Sequence, residues 1–391
     1  MRKTRPASLI VLLVTCGCAG PGPGTRGSSF VGTLRIHEGA AGKVDALFER
    51  ALRRHQEKDY FHQKHENEKA ARVFEVGDDT QPAEIDRLRE NAREAGDALY
   101  LWINVGRNPR LAAARPGWVA GMGSHDDWRR DFPSAPRPGP GERIGVFPWT
   151  PIWYEAVLED RREAIVKLLR GKTRGLAGVF LNQVQGAPSA CGCGNLQCRW
   201  TVDYRMGGGP RRVEGAPAAL LVERLEKDLP GVQWIPVWVA ECEERDQGTI
   251  STGHCGTVPC FSGLCWREST KELDALAAKA DGPLALLATE KLFGRDSASR
   301  GAPVSWLGLL VSELKKIPPL YGRAAVPASR LIAVIEGDGA SPAERRLLEE
   351  RALETGVRGV LVLVSPLDES WEPRLVPAAG DRGPDVRHAG H

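Results

Sequence analysis

Residues 177–184 read Ala-Gly-Val-Phe-Leu-Asn-Gln-Val, and this run decides the fold class that the sequence predicts. Its first five residues are apolar or glycine, without the alternation of a half-exposed strand, which is typical of a parallel strand covered on both faces. A stretch with helical periodicity precedes it at residues 155–169. We therefore predict a buried strand that follows a helix.

The same pattern recurs along the body of the chain. The eight predicted strands cover residues 72–76, 99–105, 144–149, 177–184, 232–239, 284–289, 331–335 and 359–364. The predicted helices cover residues 82–95, 155–169, 217–228, 270–280, 304–316 and 342–355. Eight strands alternating with helices predict an α/β fold of the (β/α)8 TIM-type barrel, with a doubly wound open sheet as the rival.

A ninth strand-like run at residues 33–37 and a helical stretch at residues 42–55 precede this pattern. Because eight later strands already complete a barrel, we assign both to an N-terminal extension. Segments rich in Gly, Pro and Ser or in Gly, Arg, Pro and His flank the body and predict loose chain. The predicted division is a leader at 1–19, a flexible tether at 20–29, the extension at 30–69, the barrel with cysteine-rich loops at 70–371 and a disordered tail at 372–391.

The leader has the composition of a signal peptide. Three basic residues near the start precede an apolar run at residues 7–14, and small residues follow at 15–20. A membrane-spanning helix needs about 20 apolar residues, so this run is too short to span a bilayer. The sequence therefore favours cleavage of the leader and export of the rest.

A cysteine directly after the apolar run resembles the lipobox of bacterial lipoproteins, in which the new N-terminal cysteine is lipidated. Cys16 has Leu13 three places before it, whereas Cys18 has the small Gly17 beside it, and the sequence does not choose between them. The resemblance implies a cell-envelope protein on the periplasmic or outer-membrane face, with the membrane as a partner through its lipid. Ordinary cleavage after Ala19, which would give a soluble periplasmic protein, is the alternative.

Composition is that of a globular domain. The chain has 391 residues, 42% of them hydrophobic and 26% charged, with 53 basic and 50 acidic residues. It lacks a basic block or a stripe of arginines interleaved with aromatics. Nucleic acid is therefore excluded as a predicted partner.

Several predicted strands end in acids, at the edge where barrels and open sheets collect their active residues. Glu241, Glu290 and Glu336 each follow a different strand. Acids also lie at the end of the first predicted strand, at Glu75, Asp78 and Asp79. Glycoside hydrolysis needs a pair of carboxylates, so Glu241, Glu290 and Glu336 are the candidate catalytic residues. The alternative is that such acids cap helices or pair with arginines.

The chain contains 11 tryptophans, several of them in or just after predicted strands. Trp149 and Trp238 are candidates for substrate binding, because the apolar face of a sugar ring stacks on a flat indole. Tryptophans also fill protein cores, and the sequence leaves both interpretations open.

Seven cysteines cluster in two predicted loops. They are Cys191, Cys193, Cys198, Cys242, Cys255, Cys260 and Cys265. In an exported protein they predict disulfides, and six of them allow 15 connectivities. A structural zinc site is the alternative, with ligands drawn from Cys191, Cys193, Cys198, His254, Cys255, Cys260 and Cys265.

Residues 178–183 followed by Cys191-Gly192-Cys193 resemble exported bacterial glycoside-hydrolase-like barrels, in which a similar strand precedes a cysteine-rich loop. Many retaining glycosidases of this fold carry Asn-Glu at the end of the fourth strand. Here the pair is Asn182-Gln183, and glutamine cannot donate a proton as a carboxylic acid does.

The resemblance implies Glu336 as the nucleophile, Glu241 or Glu290 as the acid, and Asn182 as a substrate-binding residue. The predicted function is a glycoside-hydrolase-like protein that acts on or binds carbohydrate. A surface scaffold or interaction lipoprotein without catalysis, braced by disulfides or metal, is the alternative.

Overall fold

A computed structural model of the chain describes residues 28–37, 68–120, 136–184, 213–239, 276, 282–288, 328–336, 341–364 and 372–377. The strands are β1 Ser29–His37, β2 Glu68–Val76, β3 Ala98–Asn104, β4 Glu142–Phe147, β5 Leu176–Asn182, β6 Trp234–Val239, β7 Leu284–Ala288, β8 Leu331–Glu336, β9 Gly359–Leu363 and β10 Glu372–Pro377. The α-helices are α1 Pro82–Ala95, α2 Pro109–Ala114, α3 Glu155–Leu169, α4 Pro217–Asp228 and α5 Pro342–Glu354.

Eight of these strands form a closed barrel in the order β1-β2-β3-β5-β6-β7-β8-β9. The neighbours from β2 round to β9 pair in parallel. Strand β1 closes the ring and is antiparallel to both β2 and β9. The predicted barrel with mixed helices and strands is therefore confirmed, but the TIM-type arrangement of eight parallel strands is not, because one strand runs against the rest.

Two strands occupy places other than those predicted. Strand β1 lies in the segment at 30–69 that we assigned to an extension, yet it is a barrel strand. It alternates: Arg35 reaches Glu349 on α5 outside the barrel, at 3.0 Å, whereas Leu34 is buried. An alternating strand lacks the continuous apolar run by which the others were recognised.

Strand β4, predicted as the third barrel strand, lies outside the barrel. It pairs with β10 in a separate two-stranded antiparallel sheet. Its apolar residues are buried by this small sheet, in which Gly145 lies against Val119 and Val376. Strand β10 begins at Glu372, inside the segment that we predicted to be a disordered tail.

Four of the five described α-helices agree closely with the predictions, and the short α2 was not predicted. Helices at 82–95, 155–169 and 217–228 have the predicted bounds, and α5 is one residue shorter than expected. Helix α1 ends at Gly96, whose φ of +72° permits the left-handed turn after the helix. The helices predicted at 270–280 and 304–316 fall outside the described residues apart from the buried, helical Leu276. No helix in the described part of the chain is long and apolar enough to cross a membrane.

Side-chain alternation identifies the barrel interior at β2. Phe74 lines an outer groove together with Arg87 and Leu88 of α1, and Arg72 pairs with Asp97 at 2.6 Å. Successive residues of a strand point to opposite faces, so Val73 and Glu75 face inward.

An aromatic layer fills the interior below the carboxyl ends of the strands. The fully buried rings of Trp102 and Phe180 stack with their centroids 5.6 Å apart, and Tyr100 lies 5.8 Å from Phe180. This layer forms the floor on which the polar residues at the strand ends are placed.

Candidate functional site

Three polar side chains from three neighbouring strands meet at the carboxyl end of the barrel. They belong to Glu75 on β2, Asn104 at the end of β3 and Asn182 at the end of β5. Asn104 Nδ2 donates to Glu75 Oε1 at 2.8 Å, and Asn182 Nδ2 donates to Asn104 Oδ1 at 2.9 Å. Trp102 Nε1 donates to the same Asn104 Oδ1 at 3.0 Å. A carboxylate is thus joined to the aromatic floor by a chain of amide hydrogen bonds.

Asn182 is the most buried member of this group, with 0% of its surface exposed. Its Oδ1 atom is buried and has no hydrogen-bond partner among the described residues. A buried acceptor without a partner costs about 1–3 kcal/mol. Such an atom is an acceptor for a water molecule or for a ligand that carries an O–H or N–H group.

Gln183, the residue after β5, has a left-handed backbone with φ of +60°. Its side chain is buried, and its Oε1 accepts a hydrogen bond from the backbone N–H of Arg107 at 2.9 Å. A Cβ added to Gly106 would lie 2.7 Å from the Gln183 carbonyl oxygen. The chain after β3 and the chain after β5 are therefore packed directly against each other beside the polar group.

A charged cluster holds the turn after β2. Asp78 receives hydrogen bonds from the two terminal nitrogens of Arg161 on α3, each at 3.0 Å, and one from Arg110 at 3.2 Å. Burial raises the pKa of Asp78, but the hydrogen bonds and charges of Arg161 and Arg110 outweigh this effect and the pKa lies below its ordinary value. The Arg161 side chain is 4% exposed and also pairs with Asp160 at 2.7 Å.

Of the three predicted catalytic acids, only Glu336 has a described backbone. It is the last residue of β8 and pairs in register with Leu363 of β9. Its side chain lies outside the described part of the structure, as do Glu241 and Glu290 altogether. Their convergence therefore stays a prediction.

Of the two tryptophans predicted to bind substrate, the structure describes the side chain of Trp149 alone. Trp149 is 6% exposed and packs beside Gly106, where an added Cβ would lie 3.2 Å from the Trp149 ring. Its Nε1 has no hydrogen-bond partner among the described residues. Trp238 is on β6, and its side chain is outside the described part.

All residues of the predicted cysteine cluster lie outside the described residues, together with His254, Cys16 and Cys18. Within the described ranges, no three His, Cys, Asp or Glu side chains converge as metal ligands would. The choice between disulfides and a structural zinc ion stays open.

Sequence reasoning noted Glu75 but did not select it, and it missed Asn104. Both follow from the alternation of β2 and β3, because Asn104 has the same parity as Trp102 and Tyr100. Both residues lie inside the predicted strands at 72–76 and 99–105. Assigning the inward face of these strands by their alternation would have found them.

No family model matches the chain, and neither does any curated protein. Among solved structures, the chain is similar to the beta-galactosidase from Rahnella sp. R3, with 9% identity and a TM-score of 0.33 over 70% of this chain and 48% of that one. The chain spans about half the length of that enzyme, and this TM-score is too low to identify a shared fold.

Proposed function

We propose that the carboxyl end of the barrel binds carbohydrate and that the chain acts there as a glycoside-hydrolase-like protein. The observation that carries the proposal is the hydrogen-bonded group of Glu75, Asn104 and Asn182 at three neighbouring strand ends. Sugar hydroxyls donate and accept hydrogen bonds, and carboxylates and amides are suited to both. Small-molecule sites usually combine a few placed polar groups with an apolar lining.

For the chemistry we propose Glu336 as nucleophile and Glu241 or Glu290 as general acid. A retaining glycosidase needs its two carboxyl groups about 5–5.5 Å apart, and an inverting one about 6.5–9.5 Å. Gln183 follows Asn182 at the position where the related barrels carry the acid, so the acid must come from another strand end. Asn182, Trp149 and Trp238 are the proposed substrate-binding residues.

The test is turnover of a panel of aryl glycosides and neutral oligosaccharides by the purified chain. We expect Glu336→Gln to abolish hydrolysis while sugar binding remains, because the glutamine keeps the shape and loses the nucleophile. Glu354→Gln is the matched control, since Glu354 is an exposed glutamate at the end of α5 on the outside of the barrel.

Three other outcomes would revise the proposal. Binding by the wild-type chain without turnover would leave a carbohydrate-binding barrel. Turnover that persists in Glu336→Gln would remove Glu336 as nucleophile. Neither binding nor turnover would favour the alternative, a non-catalytic scaffold that uses its loops to hold another protein.

We also propose that the chain is exported and anchored to a membrane of the cell envelope by a lipid on Cys16 or Cys18. Expression of the full chain in a bacterial host, followed by mass analysis of its N-terminal fragment, tests this. Cys16→Ser or Cys18→Ser should abolish the lipidated form, and the other variant should retain it. A mature chain that begins after Ala19 without lipid would contradict the anchor.

For the loop cysteines we propose disulfides, with a structural zinc site as the alternative. Thiol titration under denaturing conditions, with and without reductant, counts paired cysteines. Elemental analysis of the purified chain detects zinc, and a stoichiometric amount that is retained on dialysis would favour the metal.

A further inference from the structure

We infer that Asn104 is a positioning residue that presents Glu75 as the ligand-facing carboxylate of the barrel, an inference that rests on the proposed carbohydrate binding. Neither residue was selected from the sequence, and Glu75 is distinct from the three acids proposed for the chemistry.

Trp102, at the floor of the site, fixes the direction of the hydrogen bonds of Asn104. An indole N–H can only donate, so the Asn104 atom 3.0 Å away from it is the amide oxygen. The other end of the same amide is then the NH2 group, and it donates to Glu75 Oε1. An ionised carboxylate can only accept, so both ends of the Asn104 side chain are matched.

Asn182 supports the same orientation of the Asn104 amide. It directs its own NH2 group at the Asn104 oxygen, which therefore accepts two hydrogen bonds. Rotating the Asn104 amide by half a turn would bring its NH2 group against two donors and its oxygen against a carboxylate. Each of these contacts would be repulsive, so the Asn104 amide has one orientation.

The two ends of the chain of hydrogen bonds differ in exposure. Trp102 and Asn182 are fully buried, whereas Asn104 and Glu75 are half-buried. The hydrogen bonds thus run from the buried aromatic floor to a carboxylate that is partly exposed. A carboxylate held in one place accepts hydrogen bonds from hydroxyl groups, and sugars present pairs of adjacent hydroxyl groups.

Exchanging the carboxylate and the amide between residues 75 and 104 tests the positioning role. Asn104→Asp is isosteric and keeps the acceptor for Trp102 and Asn182, but it turns the contact with Glu75 into a repulsion between two carboxylates. Glu75→Gln in the same chain supplies a donor and restores that hydrogen bond with its direction reversed. In the double variant the network is whole, but the carboxylate has moved from residue 75 to residue 104.

Two readouts are compared in wild type, both single variants and the double variant. One is the urea midpoint of unfolding, and the other is calorimetric binding of glucose, galactose and N-acetylglucosamine. The indole N–H signal of Trp102 in NMR spectra reports whether its hydrogen bond survives. Asn91→Asp, at an exposed residue of α1 outside the barrel, is the matched control and should change none of these.

We expect Asn104→Asp to lower the midpoint and to weaken sugar binding at least tenfold. The double variant should recover the midpoint and the Trp102 signal, yet still bind sugar at least tenfold more weakly than wild type. Recovery of binding together with stability would overturn the inference, because the carboxylate would then be needed only for folding. A double variant no more stable than Asn104→Asp would overturn the assigned hydrogen-bond directions.

Wild-type protein that binds none of the three sugars overturns the proposed function and, with it, the ligand role of Glu75. That result is distinguishable from a failure of the inference alone, in which wild type binds sugar and the double variant binds it equally well. The unfolding midpoints decide the hydrogen-bond directions in either case.

Discussion

Gln183 is held in a backbone conformation that residues with a side chain rarely adopt. Its φ of +60° lies in the left-handed region, which costs a non-glycine residue about 1–2 kcal/mol. The residue is retained there because its side chain is a structural link, accepting the Arg107 N–H across the gap between two strand ends. Strain of this kind collects at functional sites, where surrounding contacts hold it in place.

Two substitutions at Gln183 separate the strain from the link. Gln183→Ala loses the hydrogen bond and keeps the strain, whereas Gln183→Gly loses the hydrogen bond and relieves the strain. We expect both variants to be less stable than wild type, and Gln183→Ala to be the less stable of the two by about 1 kcal/mol. Urea unfolding measured by tryptophan fluorescence checks the order. Equal stability of the two variants would mean that the backbone at 183 relaxes without the side chain.

At the residue scale the sequence predicted the site only in part. Asn182 was selected because Asn182-Gln183 resembles the Asn-Glu pair at the end of the fourth strand of many retaining glycosidases. Glu75 and Asn104 needed the register that places Glu75 beside Trp102 and Asn104 beside Asn182. Hydrogen bonds between strands distant in sequence depend on which strands are neighbours, and the predicted insertion of β4 between β3 and β5 would have separated Asn104 from Asn182.

At the scale of elements, Asp78 joins the turn after β2 to α3. The Arg161 guanidinium of α3 is buried and forms ion pairs with Asp78 and Asp160. These two carboxylates compensate the buried charge for the water that it has lost. The same carboxylate reaches Arg110 on α2. Two helices are thus tied to the turn that follows β2 at the carboxyl end of the barrel.

Removing this carboxylate should destabilise the protein in a pH-dependent way. We expect Asp78→Asn to lower the free energy of unfolding by about 2 kcal/mol at pH 7, since a hydrogen-bonded charge is lost beside a buried arginine. Because the folded pKa of Asp78 is lowered, its stabilisation is full above the unfolded pKa of about 3.9 and is lost as the pH falls through the folded value.

Urea unfolding of wild type and Asp78→Asn at pH 7 and at several pH values below 4 measures the difference. The gap between them should narrow only at the acid end of the series. A gap that is the same throughout would show that the Asp78 charge contributes nothing and that only the shape of the side chain matters. Asp79→Asn is the control beside it, an exposed residue in the same turn.

The elements themselves could be predicted where one physical cause dominates. Strands β3 and β5 and helices α1, α3 and α4 are buried on continuous or periodic apolar faces, and the sequence predicted their bounds to within two residues. Strands β1 and β4 were assigned to the wrong places, because local apolar pattern indicates that a strand is buried and not what buries it. The pairing of β4 with β10, more than 220 residues apart, has no local signal.

At the scale of the whole molecule, the barrel depends on β1. A ring of parallel strands would be completed by another parallel strand, but here the closing strand runs the other way and pairs with β2 and β9 on its two edges. The register of β1 against β2 shifts between Phe30 and Gly32, which is a bulge at the point where the strand meets the mouth of the barrel. On the other edge of β1, Gly32 lies close to the backbone of β9 at Val362.

Gly32 makes that approach possible, and its replacement should loosen the whole barrel. A Cβ at residue 32 would lie 2.5 Å from the Val362 carbonyl oxygen of β9, so Gly32→Ala must push β1 from its neighbour. We expect a loss of about 1–3 kcal/mol in the free energy of unfolding. Gly117→Ala, where an added Cβ meets nothing within 4 Å, should stay close to wild type. In Gly32→Ala, amide hydrogen exchange should accelerate in β2 and β9 as well as in β1, because a closed sheet opens as a unit. Faster exchange in β1 alone would show that the other seven strands keep their arrangement without the strand that closes the barrel.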